Sequence, residues 1–565
     1  MVQRKDTSTW IHLVAILGTL LLVNVAGEFY YAKLDLTEEK RFTLTDATTD
    51  LIEGIQQPVF VEVLLDGKFP AGFKRLQNAV RELLTEYKSL NNKIQFRFED
   101  PLEGAQEVVN QRLQTLAQVG IVPTELNVKD REGSSKKRIY PYAIFNYSDR
   151  QVAINLLENE TPGIPPEVAL NNSISLLEYK SADAISKLLV DQKSNILFST
   201  GHGELSIQHT ASLEQNLNAF YNTGRVNLDT VFLIPSEVDA LIIAKPVRTF
   251  SERAKFVLDQ YIMHGGNVLL LLDPLVVNLD SIQMRGEYVP YESQLNFEDM
   301  LFRYGVRVVP NLVLDFECSQ IPMVVGKVGS RSQYELFPWY YHPLAAGDVD
   351  HPITKGLDRV DLRFPASIDT LKTKTPIRKT VLLRSSEYSH LQYSPVVLDF
   401  EILKSEPSAE LFDDGAKDLA VLLEGSFSSL YENRVSTTMK EGLDQIGASF
   451  VAEGIPSKIL VVADGDVASN IIDRSTGQPR TLGYNPYMQY TFDNLDFLVN
   501  SIEYMLDRTG LIEARAKTVR LRLLDKPRIE KEETKWQLIN VVLPLMLLVL
   551  FGILFHKWRK RKYAH

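Results

Sequence analysis

Asn195-Ile196-Leu197-Phe198-Ser199-Thr200-Gly201-His202-Gly203-Glu204 decides the fold: six residues of strand character run straight into a glycine-flanked polar turn. Working outward, residues 238–244 form a second apolar run. Ser251 then caps a helix carrying Phe256, Val257 and Tyr261, which stops at Gly265-Gly266. A third run, 268–272, ends on Asp273-Pro274, and a fourth, 458–463, leads into Asp464-Gly465-Asp466. Near-continuous Val/Ile/Leu strands alternating with helices predict a parallel sheet covered on both faces. The expectation is an open α/β domain over 191–506, with a Pro-rich, strand-rich elaboration at about 281–450 that includes Val381-Leu382-Leu383 and Leu419-Ala420-Val421-Leu422-Leu423.

Upstream, Pro58 precedes a strand-like run at 59–65, and Phe73, Leu76, Val80, Leu83, Leu84 and Tyr87 recur at helical spacing. Residues 93–98 alternate as a second strand, ended by Asp100-Pro101. A β-α-β unit of this size implies a right-handed crossover and parallel strands, and a thioredoxin-like domain fits within 28–190. No Cys-x-x-Cys is present, which excludes redox chemistry of that type. A Pro/Gly cluster at 161–166 punctuates the chain, and a helix over 173–190 is expected to join the two domains.

Two apolar runs occupy the ends. Residues 11–26 follow Arg4 and Lys5, and residues 538–555 precede Lys557, Arg559, Lys560, Arg561 and Lys562. Both are near the short end of the ~17–25 residues that cross a bilayer core, and Trp10, Tyr30, Tyr31, Trp536 and Trp558 stand where interfacial anchors extend them. Because cytoplasmic flanks carry the excess of Lys and Arg, the expectation is a two-pass inner-membrane protein with both termini cytoplasmic and a large periplasmic body. Its parts are then 1–27 (cytoplasmic start and helix 1), 28–190, 191–506, a charged stalk at 507–535 containing Arg515, Lys517, Arg520, Arg522, Lys526 and Arg528, and 536–565 (helix 2 and basic tail). The alternative for the first run is a cleaved leader, since Val25-Ala26-Gly27 offers small residues. A lipoprotein anchor needs a cysteine just after the run, and the only cysteine is Cys318.

That single cysteine also excludes an intrachain disulfide and a cysteine-based zinc site. The formal net charge is −11; setting aside the basic ends leaves the body more acidic still. Such a body is a poor partner for nucleic acid or anionic headgroups.

Ligands of open parallel sheets bind outside the carboxyl ends of the strands. The candidate loops there hold Gly201, His202, Gly203 and Glu204, then Asp273, then Asp464 and Asp466. His202 and Glu204 have the chemistry of a base and an acid. Equally, the glycines can make tight turns while the carboxylates cap helices or accept loop amides. A nucleophile elbow of Gly-x-Ser-x-Gly type is missing, and so is a Gly-x-x-x-x-Gly-Lys-Ser/Thr phosphate loop. Any nucleotide hydrolysis would then belong to another subunit. The Asp464-Gly465-Asp466 spacing lacks the full calcium-loop pattern, so neither a metal nor a cofactor is expected.

The chain resembles the gliding-motility-associated ABC-transporter auxiliary family, GldG. The likeness runs in order through Asp35-Leu36-Thr37, Lys40-Arg41-Phe42-Thr43-Leu44-Thr45, the 198–204 turn, Gly265-Gly266-Asn267-Val268, Val461-Val462-Ala463-Asp464-Gly465-Asp466, Arg522-Leu523-Leu524-Asp525-Lys526 and Trp536-Gln537-Leu538-Ile539-Asn540. No single motif is specific; their order is. The resemblance implies partnership with a polytopic permease and a cytoplasmic ATPase in a system for gliding and associated secretion. It also implies an amidotransferase-like α/β fold without the catalytic cysteine. The expected function is a non-catalytic periplasmic auxiliary subunit that also has room for periplasmic protein partners. The rivals are a solute- or glycan-binding module at the strand-end loops and a hydrolase using His202 and Glu204.

Overall fold

The computed structural model describes residues 14–20, 43–67, 69–130, 133–158, 166–190, 192–277, 279–329, 331–403, 409–445, 447–507, 509–516 and 526–563. Of the first apolar run only 14–20 falls within these, and it is helical. Its flanks with Arg4, Lys5, Trp10, Tyr30 and Tyr31 lie outside the described residues, as do residues 161–165 of the Pro/Gly cluster and stalk residues Lys517, Arg520 and Arg522. The chain divides into two compact units, Met1–Thr518 and Val519–His565.

The first unit opens with helix α1 (Asp46–Glu53), whose Thr45 cap accepts a hydrogen bond from the Thr48 amide. Strand β1 (Val59–Val63), helix α2 (Ala71–Leu90) and strand β2 (Ile94–Phe98) make the expected β-α-β unit, with β1 and β2 parallel. Phe73, Leu76, Val80, Leu84 and Tyr87 all lie on the buried side of α2, as their spacing requires. Helix α3 (Gln106–Gln118) follows, and then an antiparallel pair, β3 (Tyr142–Tyr147) and β4 (Arg150–Asn155). The sheet order is β2-β1-β3-β4, and β3 runs antiparallel to β1.

Helix α4 (Pro166–Leu189) begins in the proline cluster, seven residues before the sequence-based start. Its Glu178 carboxylate accepts from the Thr45 amide at 2.7 Å, tying the start of α1 to this helix.

Strand β5 (Asn195–Thr200), helix α5 (Ala211–Phe220), β6 (Asn222–Asn227), β7 (Val238–Ala244), helix α6 (Glu252–Met263) and β8 (Asn267–Leu271) follow in sequence. Strands β5 to β8 are all parallel.

The sheet is not purely parallel, and here the expectation needs correcting. The long antiparallel pair β9 (Cys318–Val328) and β10 (Arg331–Gly347) leads through β11 (Arg378–Arg384) to β12 (Asp418–Gly425), and β12 runs antiparallel against β13 (Ser457–Val462). The 281–450 elaboration therefore supplies strands to the central sheet. Its strands are joined in succession without the helical crossovers that force neighbours to be parallel. β13 then pairs parallel with β8.

Alternate strand residues feed two cores. Leu241, Ile243, Leu270, Val421 and Val461 enter one, while Ala240, Ile242, Leu271, Leu422 and Val462 enter the other. Burial on both faces is what the unbroken apolar runs encode.

Helix α7 (Asn494–Leu506) packs on the second core through Phe497, Leu498 and Ile502. Its Glu503 reaches α4, where it pairs with Lys187 and accepts the Tyr179 hydroxyl at 2.8 Å; Asp183 flanks Lys187 at 2.7 Å. Burial pushes the Asp183 carboxyl up to about 6, with Lys187 opposing. The beginning of the expected stalk is also part of this body. Leu511–Ala516 is a 3-10 helix with Leu511, Ile512 and Ala514 buried, and Arg515 donates to Asn500 Oδ1 at 2.6 Å. Charge density alone marked this stretch as solvated, yet its alternating apolar residues seat it against α4.

The second unit is helix α8 (Lys526–Tyr563), 38 residues or about 57 Å long. Residues Glu532–Lys562 are long and apolar enough to cross a membrane. Lys560, Arg561 and Lys562 close its last turn, and Pro544 lies inside it.

Candidate functional site

In the parallel part of the sheet the order is β6-β5-β7-β8-β13, so the strand direction of winding reverses between β5 and β7. That switch point is where doubly wound folds bind ligands. Residues 201–204 follow β5, Lys245 follows β7, Asp273 lies just beyond β8, and 464–466 lie just beyond β13. Every predicted site residue therefore sits at the carboxyl edge. They do not share one pocket; they form two groups.

The first group is the turn after β5. Gly203 has φ +78, and a Cβ there would stand 2.5 Å from Val247 Cγ2, so only glycine fits. The Glu204 carboxylate folds back on its own loop, accepting the His202 amide at 2.7 Å and the Ser199 hydroxyl. Burial pushes this carboxyl up, but the His202 ring, the Ser199 hydroxyl and the loop amides outweigh it and hold the group below its usual value.

His202 is 2% exposed and stacks on Phe250 with centroids 3.6 Å apart. Its ring nitrogens lie 3.1 Å from Asp229 Oδ2 and 3.5 Å from Glu204 Oε1, without aligned hydrogen bonds. Asp229 in turn accepts the hydroxyl of Ser251, the cap of α6. His202 and Glu204 thus brace the turn against α6. An open cavity of about 670 Å³ beside them is lined by Gly201, Gly203, Glu204, Arg225 and Arg248.

The second group has a member the sequence reading missed. Lys245 Nζ lies 2.5 Å from Asp466 Oδ2 and 3.2 Å from Asp273 Oδ2. The Gly465 amide donates to Asp273, the Asp466 amide donates to Asp464 Oδ1 at 2.7 Å, and the Arg363 amide donates to Asp464 Oδ2 at 2.8 Å. A Cβ at Gly465 would meet Lys245 Cγ at 2.6 Å, which lets the lysine stem lie across this turn.

Burial opposes the charge of Lys245, but Asp273 and Asp466 outweigh it and hold its ammonium well above the usual lysine range. Burial drives the Asp464 carboxyl well up, and the charges of Asp273 and Asp466 add to this. Asp273 is also raised by burial, with Lys245 opposing. The cation these carboxylates hold is an ammonium. Among the described residues no group of three or more His, Cys, Asp or Glu is placed to hold a metal ion.

Lys245 has φ 52, one of five non-glycine residues with positive φ among the described residues. A signal for it was present: Lys245-Pro246 follows a strand as Asp273-Pro274 does. Attention to carboxylates and glycines passed over it. Cys318 lies at the start of β9, and burial pushes its thiol up to about 12. It is therefore protonated at neutral pH and a poor nucleophile.

These features define an α/β protein with a cavity-lined carboxyl edge, its loops braced by buried carboxylates, and a separate helix fit to cross a bilayer. The chain belongs to the ABC-type uncharacterized transport system family of auxiliary proteins, which it matches over residues 193–501. Residues 38–146 match a separate domain of unknown function. An uncharacterized protein of Borreliella burgdorferi is 21% identical over 450 residues, covering 78% of this chain and 82% of the relative.

Among solved structures, the mmIFT52 N-terminal domain is 15% identical at a TM-score of 0.30, covering 58% of this chain and all of that one. A ThuA-like protein from Parabacteroides merdae is 11% identical at a TM-score of 0.26, covering 59% of this chain and 94% of that one. Membership of the family places the chain in an accessory role in an ABC transport system, associated with transporter components.

Proposed function

We propose that this protein is a non-catalytic auxiliary subunit of an inner-membrane ABC transporter, working beside a separate polytopic permease and a cytoplasmic ATPase. The observation that carries the reading is the family match across the whole doubly wound body. Two features support the non-catalytic part. His202 is sealed between Phe250 and two carboxylates, and Lys245 is committed to Asp273 and Asp466. A base without a nucleophile and a lysine without a free amine are poorly suited to turnover.

The reading extends to gliding motility and associated secretion on the ordered resemblance to the GldG family. It assigns a thioredoxin-like character to the N-terminal domain, supported by its β2-β1-β3-β4 order with antiparallel β3, and an amidotransferase-like character to the doubly wound body. The body faces the periplasm and both termini the cytoplasm, in keeping with the basic end of α8.

The test is an in-frame deletion in the native host. Surface gliding is lost and is restored by the wild-type gene and by Cys318→Ser. Normal gliding in the deletion strain would remove the motility assignment and leave the transport role to be judged by its partners.

A further inference from the structure

We propose that the cavity beside Lys245 is a binding site for a free α-amino acid, with Arg363 holding the ligand's carboxylate and Asp361 its ammonium group. The cavity encloses about 680 Å³ at the carboxyl edge of the sheet, and its walls come from the β7 loop, the 361–364 stretch, β10 and the 471–487 loop. Most of its charged walls are already paired. Asp466 is bound to Lys245, Asp473 to Arg480, and Asp280 lies 3.8 Å from Arg474.

Two opposite charges remain. Among the described residues neither Arg363 nor Asp361 makes a close ion pair; burial pushes the Asp361 carboxyl up to about 6, with the Arg363 charge opposing from a distance. Asp361 is 6% exposed, and its Oδ1 and the nearby Ser319 Oγ are both buried without a well-formed hydrogen bond. His342, also 6% exposed, lines the same cavity, and its Nε2 is buried without a hydrogen-bond partner. Burial, followed by the Arg363 charge, lowers its pKa well below the usual value, so it is neutral and available as a hydrogen-bonding group.

Buried charges and polar atoms are costly unless something completes them. A lone anion would satisfy Arg363 while approaching Asp361, and a lone cation would do the reverse. A ligand carrying a carboxylate and an ammonium a few atoms apart satisfies both. The guanidinium fork also suits a carboxylate in particular.

Backbone strain is concentrated at the same place. Of the five positive-φ non-glycine residues among the described residues, Lys245 (φ 52) and Phe364 (φ 54) both line this cavity. Strain of this kind persists where side chains must be aimed. Val277, Ile472 and Tyr487 leave apolar wall for a ligand side chain. A small ligand of this kind can be tested on the purified chain alone.

The experiment is ligand-observed NMR and calorimetry on the full-length protein in detergent. The probes are L-alanine, L-leucine, L-phenylalanine and L-glutamate, with acetate, ethylamine and D-glucose as controls. At least one amino acid binds with a Kd of about 1 mM or tighter, and the controls bind at least about tenfold more weakly. Arg363→Met and Asp361→Asn each weaken that binding about tenfold or more at unchanged Tm. Ile472→Trp, which adds bulk to the apolar wall of the cavity and leaves both charged residues in place, abolishes it and serves if either charge variant fails to fold. Failure of all four amino acids to bind, a control binding as well as they do, or binding that survives Ile472→Trp and any folded charge variant would overturn the assignment.

Discussion

Lys245 holds the carboxyl edge together: its ammonium joins loops that leave three different strands, and 21% of its side chain is exposed. Lys245→Met leaves Asp273 and Asp466 without their cation, beside an Asp464 already strained by burial. Breaking a largely buried pair from one side costs about 3 kcal/mol, read as a lower midpoint in urea unfolding. The pH dependence has a definite sign. A carboxyl whose folded pKa is raised, as those of Asp464 and Asp273 are, adds stability that is complete below its unfolded pKa and lost as pH rises through the folded value. Without Lys245 that loss deepens, so the gap between variant and wild type is smaller at pH ~5 than at pH ~8. An equal gap at both would mean that the lysine stem, not its charge, carries the effect.

At the scale of elements, the α4–α7 junction rests on one carboxylate. Glu503→Ala removes the second partner of Lys187 and the acceptor of the Tyr179 hydroxyl together. We expect a loss of about 3 kcal/mol, with faster proteolysis near 190–194, where the two sheets are joined. Unchanged unfolding would show that the apolar packing around Tyr179 and Ile512 suffices.

Elements were legible in the sequence wherever a single pattern ruled. The runs at 195–200, 238–244, 268–272 and 458–463 read as parallel strands because burial on both faces leaves them few polar positions, and α2 announced itself by period. The antiparallel half of the sheet was harder. β12 is nearly as apolar and β11 holds Val381-Leu382-Leu383 at its centre, but direction depends on connections, and the long β9–β10 pair carries no short-range mark of where it lies. Arg515 was misplaced for a related reason: its charge is legible, its acceptor Asn500 is not. Of the site, the carboxylates and glycines were found because their spacing after strands is visible. Lys245 and Arg363 were not, because their roles arise from pairing, or the lack of it, across loops distant in sequence.

For the whole molecule, a cytoplasmic C-terminus is expected from the basic end of α8. A cysteine placed at Ala564 should react with an impermeant thiol reagent only after the inner membrane is opened, and Cys318, held protonated by burial, should give little background. Labelling in cells with intact inner membranes would place the basic tail outside. The central claim is that this chain works as one part of a transporter. It is met most directly by affinity purification from detergent-solubilised native membranes, with identification of every co-purifying chain. The account predicts a polytopic permease and a nucleotide-binding ATPase in constant ratio to this chain; recovery of the chain alone, or with neither of those partners, would contradict it.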